Sequence, residues 1–175
     1  MGNWRDIVSS IIFYAGVAGG CALLVHYGSS YGWHKVDEQF RDMEPRLSRG
    51  HYVWIDRRAR RPEGFAIGDV VMYKRPVWKR AKYQYEFARV IAKPGDVVEM
   101  KNYRLYRAER RDDGKLGPKD KVTERYIQAS QRPKEFSSFV VPRNCLFVMY
   151  DDRRRRPPLR NLIVPTRCIF GRVLH

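Results

Sequence analysis

At 175 residues, with 43% hydrophobic and 13% aromatic content, this sequence excludes a disordered chain and leaves room for one domain with a real core plus an appendage. Its 35 Lys and Arg against 19 Asp and Glu give a net charge of +16, which calls for an acidic partner: nucleic acid, anionic lipid or an acidic protein surface. Three cysteines without CxxC or zinc spacing and four scattered histidines argue against metal chemistry, so no metal and no cofactor are expected.

Residues 1–6 form a short tail. From Ile7 to Trp33 there is no Asp, Glu, Lys or Arg. Within that span, "IVSSIIFYAGVAGGCALLVHY" (7–27) has the length of a transmembrane helix. A weakly basic N-terminus and no clear A-x-A site favour a retained anchor over a cleaved signal peptide, and Asp6 stands where myristoylation needs Ser or Thr. Gly16 and Gly20 have GxxxG spacing that could seat a second helix. All but one of the Lys and Arg follow the anchor, so the positive-inside rule pulls the rest of the chain towards the cytoplasm or matrix, though long domains cross regardless of charge.

Residues 28–38 read as a linker, helical if anything. Beyond them the chain alternates and favours β-structure: "HYVWID" (51–56), "DVVMYKR" (69–75), "YEFARVIAK" (85–93), "DVVEM" (96–100), "YRLYRA" (103–108), "FVV" (139–141), "CLFVMY" (145–150) and "CIFGRVLH" (168–175). Gly-Asp and Pro-Gly-Asp turns punctuate these runs, so the fold class expected for 39–175 is mainly β, a folded barrel or sandwich. Residues 109–135 are highly charged with few apolar anchors and read as an exposed insertion. Cys145 and Cys168 are the two thiols that could pair, and burial as small apolar groups is the expected state of both.

Three blocks in order, "MEPRL", "GDVVMYKRP" and "ARVIAKPGDVVEM", resemble the signal peptidase I family, the serine–lysine peptidases of family S26, and "VPRNCLFVMYDD" and "IFGRV" are similar to its closing segments. The resemblance spans 39–175, and the layout looks most like the mitochondrial inner membrane protease subunits. It implies a serine attacking the scissile carbonyl and a buried, neutral lysine taking its proton. The serine position falls on Asp42 and the lysine position on Ala88. The family's Gly-Asp-Asn becomes Tyr150-Asp151-Asp152, and its Asp-Ser-Arg becomes Pro158-Leu159-Arg160. Lys93 falls on the opposite strand face from Ala88, Ser48 lies past the turn, and Asp42 with Glu44 has no other support as an acid pair. The resemblance therefore implies a pseudoenzyme with no catalytic residues.

The scaffold part of the pattern survives in Met43, Pro45, Gly68, Asp69, Pro94, Gly95, Asp96 and Gly171. An intact fold, an apolar surface near the membrane and a dead site are expected, in a structural or accessory subunit of a membrane complex. The mitochondrial inner membrane is the expected location, with the respiratory chain, ATP synthase or a protease complex as the assembly. Arg57, Arg58, Arg60 and Arg61, with Arg153, Arg154, Arg155 and Arg156, would bind acidic protein surfaces or lipid, including cardiolipin. Tyr and Trp in 73–87 would act as interface anchors. The alternatives are a mitochondrial ribosome-associated basic subunit contacting ribosomal RNA, and a signal peptidase that binds or cleaves leader peptides through a non-standard site.

Overall fold

The computed structural model describes residues 4–36, 43, 47–48, 50–59, 62–77, 82–111, 113–123, 133–154 and 157–174, except the side chains of 5, 6, 76, 77, 82 and 83. Helix α1 runs Trp4–Ser30, and its apolar part, Ile7–Ser30, has a mean hydropathy of 2.0 and no buried share. At 1.5 Å per residue these 24 residues reach about 36 Å, long enough to cross a bilayer. Large apolar side chains such as Ile12, Phe13 and Leu24 stand exposed along it, as lipid would require and water would not favour.

The rest of the described chain is built on two antiparallel sheets. The larger has the order β1-β2-β11-β3-β4-β9-β10, from Tyr31–Lys35, Tyr52–Asp56, Ile169–Leu174, Val70–Val77, Lys82–Ala92, Cys145–Met149 and Ile163–Pro165. The smaller has the order β7-β6-β5-β8, from Leu116–Lys121, Arg104–Arg110, Val97–Lys101 and Phe136–Val140. β4 pairs with β9, so the chain between them leaves the large sheet to build the small one and then returns. Phe147 of β9 receives the edges of Phe136 and Phe139 from β8 at 5.6 and 5.5 Å, which ties the sheets through one aromatic cluster.

Turn chemistry explains where strands end. Gly68 (φ +92°) and Gly95 (φ +88°) adopt left-handed conformations open to glycine, each beside an aspartate that closes the turn. Asp69 accepts the Ala66 amide at 2.8 Å. Asp96 is buried and accepts the amides of Lys93 and Arg110 at 2.9 and 3.0 Å, joining the Pro94 turn to β6. Gly171 is needed for proximity: a Cβ there would lie 2.5 Å from the Asp56 carbonyl oxygen on β2.

Two expectations change. Residues 31–35 are a strand, not part of a helical linker, because Trp33 packs at a tilt against Trp54 directly opposite it, with ring centroids 4.0 Å apart. The charged segment 109–135 is not wholly an insertion outside the sheets: Leu116–Lys121 pairs with β6, and the Val122 amide donates to the Leu105 carbonyl at 2.9 Å. Most of its described positions are exposed, as expected, while residues 124–132 lie outside the described residues.

Candidate functional site

β3 and β4 pair in regular register from Val70↔Arg89 to Val77↔Lys82. Side chains alternate between faces, so Ala88 and Glu86 share one face with Val71 and Tyr73 opposite them. Ala88 is fully buried within the hydrophobic core. It brings no titratable atom to that position, and the surrounding burial would strongly desolvate any charged group placed there.

The neighbouring positions on this face are filled by a buried polar cluster. Tyr73 and Tyr150 both donate to Oε2 of Glu86, at 2.8 and 2.5 Å, and their hydroxyl oxygens lie 3.1 Å apart. Arg75 forms an ion pair with the other carboxylate oxygen at 2.9 Å. Burial first, then Tyr150 and Glu86, push the Tyr73 hydroxyl far above its ordinary range; burial and Glu86 do the same to Tyr150. Both phenols are therefore held as proton donors, and the carboxylate is engaged on both oxygens.

On the opposite face of β4, Arg89 makes a two-pronged ion pair with Asp151, through Nε to Oδ1 at 2.9 Å and through its NH2 nitrogen to Oδ2. Its third nitrogen donates to the Gly68 carbonyl at 2.8 Å. Both side chains are almost completely buried. This pair clamps the segment after β9 to the Gly68-Asp69 turn, which makes it an element of architecture.

A family model described as signal peptidase, peptidase S26, matches residues 4–156. This chain belongs to the S26 signal peptidase family. Among solved structures it is similar to a signal peptidase I from Enterococcus faecalis, with 21% identity and a TM-score of 0.47, over 63% of this chain and 97% of that one. A search of curated proteins returns no match.

Of the S26 scaffold positions, Met43 is fully buried, and its carbonyl accepts the Leu47 amide at 3.0 Å. Asp42, Glu44 and Pro45 lie outside the described residues. Lys93 lies just past the end of β4, in the turn closed by Asp96, and Ser48 is half-buried. Cys145 and Cys168 carry free, half-buried thiols, with burial pushing the Cys145 thiol up.

The described arginines of the two runs differ in burial and in partners. Arg153 is buried, so its charge is not presented on the surface. Arg58 folds back on Asp56, and Arg154 on Asp152, with Nε–Oδ1 distances of 2.9 Å in each. Arg58, burial and the nearby Arg172 leave the Asp56 carboxyl at about 2, the hydrogen bonds from Arg58 outweighing the cost of burial. Arg57 is half-buried, its guanidinium 4.5 Å from the centre of the Phe170 ring. Arg60, Arg61, Arg155 and Arg156 lie outside the described residues.

The expected aromatic anchors in 73–87 are corrected in part: Tyr73 and Phe87 are buried and Tyr85 is half-buried against Phe170, because β3 and β4 are central strands that pack into the core, while the side chain of Tyr83 lies outside the described residues. Trp78 lies outside the described residues. Trp33, Tyr52 and Trp54 are exposed together on the β1–β2 edge directly after α1. The alternation of Tyr31 and Trp33 was the available signal for that edge strand. Nothing in the sequence foretold the Tyr73–Glu86–Tyr150 cluster, whose third member lies 64 residues beyond Glu86.

Proposed function

We propose that this S26 family member is a catalytically inactive, single-pass membrane protein serving as a structural or accessory subunit of a larger complex, in the mitochondrial inner membrane. The observation that carries this reading is Ala88: the position aligned with the family's lysine is sealed in the core, and its strand face is occupied by phenols and a carboxylate already bound to one another. Asp42 at the serine position supports the same conclusion, because a carboxylate offers a different nucleophile and has no lysine at position 88 to act as base.

The apolar helix Ile7–Ser30 serves as the anchor. Trp33, Tyr52 and Trp54 emerge at its end, where amphipathic rings suit the headgroup layer or a membrane-embedded partner. The fold is thus retained as a platform while the dyad is gone. The net charge of +16 supports binding to acidic surfaces of other subunits or to anionic lipid such as cardiolipin.

The test is to solubilise the native membrane in mild detergent, separate the intact complexes, and identify by mass spectrometry what co-migrates with this chain. Stoichiometric co-migration with one large inner-membrane complex is expected. A free monomer, or cleavage of a leader-peptide substrate by the purified chain, would overturn the reading.

A further inference from the structure

The large sheet leaves a cleft between β3 and the segment that follows β9. Its volume is about 850 Å3, within the roughly 300–1,000 Å3 typical of ligand sites. Lys74 and Arg75 of β3, Arg160 and Arg167 beyond β9, and Ile163 and Val164 of β10 are among the residues that line it. No Asp or Glu is among the described residues that line it.

The four cations are not equivalent. Arg75 is committed to Glu86 behind it, and the Lys74 amine lies 5.7 Å from the centre of the Tyr85 ring. Arg160 and Arg167 are exposed and have no carboxylate partner among the described residues. They sit in two short 3-10 turns, Leu159–Asn161 and Thr166–Cys168, that hold β10 between them. Among the described residues β10 is the last strand of its sheet, so one side of its backbone has no described strand partner.

We infer that this cleft binds an extended acidic segment of a partner protein, with carboxylates on Arg160 and Arg167 and intervening apolar side chains on Ile163 and Val164. Separated cations along an apolar floor suit alternating charged and apolar residues better than a compact anion, which needs donors converging on one point. An open strand edge adds main-chain bonding to such a segment. The partner being another subunit rests on the accessory-subunit reading; the chemistry of the cleft does not.

The test uses the full chain in detergent micelles and a fluorescent peptide of alternating glutamate and leucine, with the glutamine–leucine peptide as the neutral control. Binding is read by anisotropy, and alkylation of Cys168, which lines the cleft, reports occupancy at the same place. The acidic peptide is expected to bind and to slow alkylation, and the neutral one to bind more weakly. Arg160→Glu with Arg167→Glu should weaken the acidic peptide at least about tenfold, whereas Arg160→Lys with Arg167→Lys should retain most of the binding.

Equal binding to wild type and the charge-reversed variant, or no binding to wild type, would overturn the proposal. So would protection of Cys168 by cardiolipin-containing vesicles but not by the peptide, which would make the occupant a lipid headgroup. A chain that co-migrates with a complex yet ignores the peptide would sink the cleft alone. One that binds the peptide but migrates as a free monomer would sink the subunit reading alone.

Discussion

Tyr150 donates its hydroxyl to Glu86 across 64 residues of sequence at 2.5 Å, two positions along β4 from Ala88. The residue standing at the first position of the family's Gly-Asp-Asn segment thereby meets the strand that carries the lysine position. The buried cluster thus ties the segment after β9 to β4, beside the core position of Ala88.

Restoring the lysine alone should not restore cleavage. Ala88→Lys puts an amine into a fully buried site and should lower stability by about 3 kcal/mol or more, with no gain of peptidase activity. Denaturant unfolding and a leader-peptide cleavage assay on the same preparation check both halves. Cleavage by this single variant would show that the remaining site is competent.

The two phenols should make the fold sensitive to alkali. Their folded values are raised above the ordinary 10, so the stabilisation is present in full below pH 10 and is lost as pH rises from there through the raised values. Absorbance titration should show two of the eleven tyrosines ionising only as the protein unfolds. Tyr150→Phe should cost about 1–3 kcal/mol, because Glu86 loses a buried donor. A variant with unchanged stability and an unchanged titration curve would mean that the cluster is not formed in solution.

Breaking the Arg89–Asp151 pair should be worse than replacing it whole. Arg89→Met or Asp151→Leu alone leaves a buried charge unpaired and should cost about 3–5 kcal/mol. The double variant should recover a large part of that loss in a thermodynamic cycle. Additive losses would show that the two charges are not coupled.

Gly171→Ala should destabilise by about 2 kcal/mol or more, because the new methyl group meets the main-chain oxygen of Asp56 and the side chain of Ile55, both 2.5 Å away. Gly68→Ala meets no atom within 4 Å but must hold φ +92°, so its cost is backbone strain rather than collision. Thermal melts of the two variants, with the strand edge at β2–β11 followed by hydrogen exchange, separate these causes: only Gly171→Ala should loosen that edge.

The sequence by itself determined the long apolar helix, the β-rich class and most of the strands, since these depend on local properties: a long uncharged apolar run, two-residue alternation and Gly-Asp turns that need particular backbone angles. The order of its motif blocks also carried the family, and the identities of Asp42 and Ala88 could be read directly. Its weakest readings concerned long-range partners. Tyr31–Lys35 became a strand only because β2 lies beside it, and Leu116–Lys121 joined a sheet despite its charge because β6 supplies the hydrogen bonds. Tertiary structure alone decided that Arg153 is buried, that Arg58 and Arg154 are held by nearby aspartates, and that Arg160 and Arg167 face a cleft. A run of arginines fixes net charge; which of those charges remain available depends on where the fold brings carboxylates and water, and no local pattern encodes that.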